Sequence, residues 1–220
     1  MNDLLTQLQD PDFKRRVQAL LTLRNATPEE VAPLAAVTIR DEHVQMRSYT
    51  CMLLGKKPSE TAFTLLIQAL QADLDQGVRA DAAGALGALQ DPRAWEYLAR
   101  AYYEDTEWIV QYSALVSLGN LADPRAYDLF VTALQSKNEL MEQAAIGALG
   151  EVGQARAIPW LLPYIESSDW LVRLKVAIAL AEIAKASSDP ETAKAREALR
   201  YLAQDPHPQI AAVVKDLLER

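Results

Sequence analysis

Only one cysteine, Cys51, occurs in 220 residues, so the chain can close no disulfide of its own. That suits a reducing cytosol and sets aside the disulfide-rich secreted class. Histidine is nearly as scarce. His43 and His207 stand far apart, whereas a metal centre needs three or four converging ligands, so no metal is expected and the two read as surface or cap histidines. No apolar run approaches the ~20 residues of a membrane span. The opening Met1-Asn2-Asp3-Leu4-Leu5-Thr6-Gln7 has neither a basic stretch nor an apolar one, so no secretory signal is expected and the expected location is cytoplasmic. There is no glycine-rich loop followed by Lys-Ser/Thr to cradle a phosphate. Basic side chains are also short: 22 against 30 acidic, a net charge of −8. The deficit sits in residues 61–170, with six basic and fifteen acidic side chains. An acidic centre repels phosphate backbones, so nucleic acid is not an expected partner. What remains, 50% hydrophobic and 24% charged, is globular composition with enough apolar material for a core.

What is present in abundance is repetition. Val78-Arg79, Ala82, Ala85-Leu86-Gly87, Leu89 and Asp91-Pro92-Arg93-Ala94 form one copy. The next reads Val110, Ala114, Leu118-Gly119, Leu121 and Asp123-Pro124-Arg125-Ala126. Then come Met141, Ala145, Ala148-Leu149-Gly150, Val152 and Arg156-Ala157, followed by Val172-Arg173, Val176, Ala179-Leu180-Ala181 and Ile183. Towards the N-terminus lie Met46-Arg47, Thr50 and Leu53-Leu54-Gly55, and a degraded copy with Arg15-Arg16, Ala19 and Leu23. A last copy runs from about His207 to Leu218. Apolar spacings of three and four within each unit are helical. Asp-Pro-Arg-Ala is a stop-and-restart signal: Asp caps, Pro suits the first helical position and cannot continue the preceding helix. Each unit therefore reads as two antiparallel helices, with units near 1–25, 28–57, 59–90, 92–122, 124–153, 156–185 and 190–219. First helices are expected near 2–9, 28–40, 59–73, 93–104, 125–136, 156–167 and 190–203. Second helices are expected near 12–24, 42–56, 76–89, 107–121, 138–152, 169–185 and 207–219. No segment alternates with period two, so essentially no strand is expected. The fold class is all-α, a single repeat domain forming an alpha-alpha superhelix of about seven helix pairs, because one pair cannot bury its apolar face alone. Gly55, Gly87, Gly119 and Gly150 recur near the ends of second helices, where they serve either close crossing or termination. Charges in the end copies (Lys14, Arg15, Arg16; Lys215, Asp216, Glu219, Arg220) fit polar caps.

The segment VRADAAGALGALQDPRA, residues 78–94, resembles a HEAT repeat. More narrowly it is similar to the short HEAT-like repeats of cyanobacterial phycobilisome lyase proteins, phycobilisome-degradation proteins and their bacterial and archaeal relatives. The resemblance covers residues 40–185 well and the ends weakly. It implies a protein-binding scaffold that uses its concave face on phycobiliproteins, in phycobilisome assembly or degradation. Two alternatives accompany it: a bilin lyase or chromophore-detaching enzyme subunit with a bilin as ligand, and a scaffold for another photosynthetic or metal-cofactor assembly. No short diagnostic motif supports an activity, so no catalytic residue is carried over and no cofactor is expected.

The residues offer few nucleophiles. Cys51 falls in the register of Ala83, which points to a buried thiol. Glu104, Asp105 and Glu107 read as capping and solubilising carboxylates. Arg16, Arg47, Arg79 and Arg173 share a register, interrupted by Gln111 and Glu142. Arg reaching an acidic or carbonyl partner on the adjacent unit is preferred there over a ligand site. Three further columns point to recognition. Ala80, Tyr112, Gln143 and Leu174 form one. Gly84, Val116, Gly147 and Ile178 form the next, and Trp108 and Trp170, with Glu139 between, begin their helices. If second helices line the inner face, as the resemblance implies, Trp108, Tyr112, Val116, Trp170, Leu174 and Ile178 wall an apolar partner-binding groove. Small residues at 80, 84 and 147 then leave room for a partner's side chains. Periodicity alone leaves groove and inter-repeat core equally open for these positions. Trp95, Tyr102, Tyr127, Phe130, Trp160, Leu161 and Tyr164 belong to first helices and are assigned to core or convex surface.

Overall fold

The computed structural model describes residues 2–219; Arg220, assigned above to the C-terminal cap, lies outside them. The described residues form an all-α fold of the alpha-alpha superhelix class, without strands. In chain order the helices are α1 (Asn2–Leu8), α2 (Phe13–Thr22), α3 (Pro28–Thr38), α4 (Val44–Leu54), α5 (Glu60–Ala72), α6 (Gln76–Ala88) and α7 (Ala94–Glu104). There follow α8 (Trp108–Leu121), α9 (Tyr127–Leu134), α10 (Glu139–Val152), α11 (Ile158–Leu161), α12 (Trp170–Ala186), α13 (Thr192–Leu202) and α14 (Pro208–Glu219). The chain divides into two compact units, Met1–Ser117 and Leu118–Arg220. In the first, second helices α2, α4 and α6 pack in series, and first helices α1, α3, α5 and α7 make a parallel layer. In the second, α10, α12 and α14 pack in series and the first-helix side is carried by α9, α11 and α13.

The helices start where side chains satisfy the orphan N–H groups of a first turn. Thr27 and Glu30 form a reciprocal capping box on α3. Asp12, Ser59, Asp75, Asn138 and Asp169 each accept from a backbone N–H of the helix they open. The Asp-Pro-Arg-Ala turns depart from the expectation: Asp91 accepts from Arg93 N–H (2.9 Å) ahead of α7, whose N-cap is Arg93 without a side-chain bond, and Asp123 accepts from Arg125 N–H (2.9 Å) at a 3-10 turn, Pro124–Ala126, that precedes α9. The single helix expected over 156–167 is broken. A four-residue α11 lies between 3-10 turns at Ala155–Ala157 and Leu162–Glu166. Pro163 explains the break: it has no N–H to donate to residue 159, and its ring crowds that carbonyl, whereas Pro159 sits in the first turn of α11, where proline is tolerated.

The repeat register survives in three dimensions. The third residue of successive second helices is Met46, Val78, Val110, Met141, Val172 and Ile210. All are buried except Val172, which is half-buried. Of the two roles open to the recurring glycines, close crossing is the one the packing displays. A Cβ at Gly87 would stand 2.6 Å from Ser117 Cβ, and one at Gly150 only 2.7 Å from the Ala179 Cα. Glycine there lets adjacent second helices touch backbone to backbone, which offsets its helix-propensity cost of about 1 kcal/mol. Among first-helix aromatics, Phe130 and Tyr127 are buried with Leu161, Trp95, Tyr102 and Tyr164 are half-buried, and Trp160 is exposed. Among the described residues no helix is long and apolar enough to cross a membrane.

Candidate functional site

The arginine register is a structural device. Arg47 donates from Nε and Nη2 to the Asp73 carboxylate at 2.7 and 2.9 Å. Arg79 does the same to Asp105 at 2.8 and 3.0 Å, and Arg173 to Asp205 at 2.7 and 3.0 Å. Arg16, buried, pairs with Asp41 at 2.9 Å and so belongs to this ladder rather than to a solvated cap. The remaining guanidinium nitrogen of each reaches back to its own turn: Arg47 to the Asp41 carbonyl (2.9 Å), Arg79 to that of Asp73 (3.0 Å), Arg173 to that of Ser167 (2.7 Å). Each aspartate also accepts from the N–H two residues on, as Asp105 does from Glu107 (2.9 Å). The turns between first and second helices are thus held from both sides by forked, charge-assisted bonds. The bond from Arg79 holds the Asp105 carboxyl below the ordinary aspartate value of 3.8, and that from Arg173 does the same for Asp205. Sequence reasoning found the arginines and missed the aspartates. A readable signal existed: Arg47 and Arg79 each meet an aspartate 26 residues on. Where arginine gives way to Gln111 and Glu142, the matching turn positions read Ser136 and Ser167.

The scarce reactive side chains are equally structural. Cys51 is fully buried, and its thiol is pushed up to about 12 by burial and by Asp81 and Asp73. A thiol so protonated is a poor nucleophile. His43 meets Phe13 edge-on at 4.5 Å, and the His207 ring stacks on Trp170 at 4.2 Å. Both histidines thus sit just ahead of a second helix, each against the aromatic residue that begins the second helix before it. No group of three or more His, Cys, Asp or Glu side chains that could hold a metal occurs among the described residues.

The outward face of the second helices differs in kind. In the first unit it presents Leu21 of α2, Val44, Tyr49 and Met52 of α4, and Trp108 of α8. These are 64%, 41%, 44%, 53% and 50% exposed, while Tyr112 and Val116 are half-buried beside them. Leu74 and Tyr103, off these helices, are exposed as well; large apolar groups this exposed along one series of helices are the usual mark of an interaction surface. In their midst is a hollow of about 360 Å³, lined by Met52, Lys56, Ala80, Asp81, Gly84, Ala88 and Ser113. Gly84 makes the hollow: a Cβ there would meet nothing within 4 Å. In the second unit, Ile178 is exposed, Leu174 and Trp170 are half-buried, and Gly147 is as open as Gly84. All six residues predicted for a groove therefore stand partly or wholly outside the core, three in each unit. Trp170 is the most committed of them, since one ring face is taken by His207. Sequence reasoning missed Leu21, Tyr49 and Met52. Leu21 and Met52 occupy the column of Gly84 and Val116, so extending that column two repeats towards the N-terminus would have found them.

A model of HEAT repeats matches residues 31–119 and 101–181. No curated protein matches the sequence. Among solved structures, the complex of CpcE and CpcF of phycocyanin lyase from Nostoc sp. PCC7120 is similar at 24% identity, over 86% of this chain and 75% of that one, with a TM-score of 0.66. An engineered protein is similar at 20% identity over 86% and 95% of the two chains, TM-score 0.61. A designed armadillo repeat protein matches at 16% identity over 99% and 98%, TM-score 0.52. At these identities the likeness is one of fold.

Proposed function

We propose that this chain, which belongs to the HEAT-repeat family, is a non-enzymatic scaffold whose second-helix face binds another protein, and that the partner is a cytosolic phycobiliprotein. One observation carries the reading: the exposed apolar side chains of α2, α4 and the start of α8, with a hollow over Gly84 of α6. Aromatic and aliphatic anchors with adjacent recesses are what a protein partner buries most profitably. The partner class is supported by the fold shared with a phycocyanin lyase component. That same likeness favours a second reading, in which the chain is one subunit of a bilin-handling enzyme.

Titration against purified phycocyanin separates the two. A scaffold forms a stoichiometric complex on a sizing column and leaves the visible spectrum of the bilin in place; a bilin-handling subunit changes that spectrum with time. Trp108→Ala combined with Tyr112→Ala is expected to weaken the complex about 30-fold or more, the loss of roughly 2 kcal/mol typical of one anchor cluster. The far-ultraviolet helical signal should stay unchanged. A collapse of that signal would assign both side chains to the core instead.

A further inference from the structure

The hollow over Gly84 contains an unmatched charge. Asp81, half-buried on α6, accepts a hydrogen bond from the Ser48 hydroxyl of α4. Its other carboxylate oxygen has no donor, and no cation lies within ion-pairing distance of it among the described residues. Lys56, which lines the same hollow, makes no ion pair with it. Asp41, Asp73 and Asp105 of the same unit each hold a guanidinium, and half-buried Asp75 instead accepts two backbone N–H groups of α6; among the described residues Asp81 has neither. A carboxylate withdrawn partly from water and left without a cation is a cost unless something supplies one.

We propose that the hollow is the seat of an arginine side chain from the bound protein. The inference rests on the second-helix face being a protein-binding surface and adds what that surface selects. The steric and electrostatic features agree. Met52, Ala80 and Ala88 line the hollow and Gly84 leaves its floor open, which suits a methylene stem lying along apolar surface. Asp81 offers an unbonded carboxylate oxygen to a planar fork of N–H donors, and Ser113 belongs to the same lining. Leu, Phe or Met would fill the space but leave the carboxylate unanswered. Glu or Asp would set a second carboxylate against Asp81, with only Lys56 of the lining to answer the two. The occupant is therefore a segment of a partner protein that presents arginine among apolar neighbours.

The test is selection of twelve-residue peptides from a random displayed library on the full chain, with recovered peptides synthesised and titrated by fluorescence anisotropy. The expected result is enrichment of peptides bearing an arginine next to aliphatic or aromatic residues. Their affinity should fall about tenfold or more on Asp81→Asn, and likewise when the arginine is replaced by citrulline, which keeps the shape and removes the charge. Gly84→Leu, which fills the hollow at an open helical position, should abolish binding; unchanged melting behaviour of both variants shows that the fold is intact. Enriched peptides without a basic residue, or with equal affinity for Asp81→Asn, overturn the arginine seat while leaving the face a protein-binding surface. Failure to enrich any peptide sensitive to Gly84→Leu overturns it as well. Neither result bears on whether phycocyanin is the partner, which the titration above decides separately.

Discussion

Gly150→Val is expected to destabilise the fold by about 3 kcal/mol or more, and Gly87→Val by a similar amount. The reason is geometric. At Gly150 even a single Cβ would stand 2.7 Å from the Ala179 Cα, and at Gly87 2.6 Å from Ser117 Cβ. The obstructions are backbone and the base of a side chain, so no rotamer change relieves them and the second helices must separate. For a chain of this length the melting temperature should fall by about 6–12 °C. The matched controls are Gly84→Ala and Gly147→Ala, one helical turn or less from the crossing glycines, where an added Cβ meets open space. They should stabilise by about 0.5–1 kcal/mol each, the ordinary helical gain of alanine over glycine. Thermal unfolding followed by circular dichroism measures all four. Destabilisation of the same size at 84 and 87 would mean that the helix crossings are not where the contacts put them.

The second large effect concerns the ladder. Arg79→Met removes two bonds to Asp105 and one to the Asp73 carbonyl. Both side chains of the ion pair are mostly withdrawn from water, at 15% and 11% exposure, so the pair is screened less than a surface bridge. The variant should lose about 2–3 kcal/mol, chiefly because Asp105 keeps its charge without its partner. Adding Asp105→Asn should then cost less than it does in the unsubstituted chain, a coupling of about 1 kcal/mol in a double-mutant cycle. Acid has the same target. Asp105 and Asp205 hold their protons less tightly in the folded chain than in the unfolded one. Their contribution is therefore complete above the ordinary aspartate value of 3.8. It is lost as pH falls from that value through the lower folded-state values. Urea unfolding at pH 6 and pH 3 should show this loss, and the Arg79→Met variant should show less of it. Additive single variants, or equal acid sensitivity with and without Arg79, would remove the ladder from the stability account.

These two effects also mark how far the sequence could be read. Helix boundaries were legible to within a few residues because the same spacing of Val, Arg, Ala, Leu and Gly recurs through the chain, and each copy corrects the reading of its neighbours. The exception was local. Pro163 breaks α11 through its missing donor, a rule available from the sequence but masked by the strength of the repeat. The crossing glycines were visible as a pattern, but two readings fitted them until distances to Ser117 and Ala179 decided between them. The aspartate partners were harder to see, since a bond spanning 26 residues in one place and 32 in another needs the extra length before α13 to be allowed for. Register alone placed Trp108 in the first unit and Ile178 in the second at positions that the structure leaves exposed. Leu21, Tyr49 and Met52 are harder to place, because the N-terminal copies depart most from the consensus. Asp81 gave no signal at all: whether a carboxylate is paired is a property of neighbours in space.

The central claim is that the second-helix face of the first unit is where a partner docks. Hydrogen–deuterium exchange of the full chain, alone and saturated with purified phycocyanin, tests it most directly. The account predicts added protection in peptides covering residues 44–56, 76–88 and 108–116, and none in α3, α5 and α7. Protection confined to those first helices, or an unchanged exchange pattern under saturating phycocyanin, would contradict it.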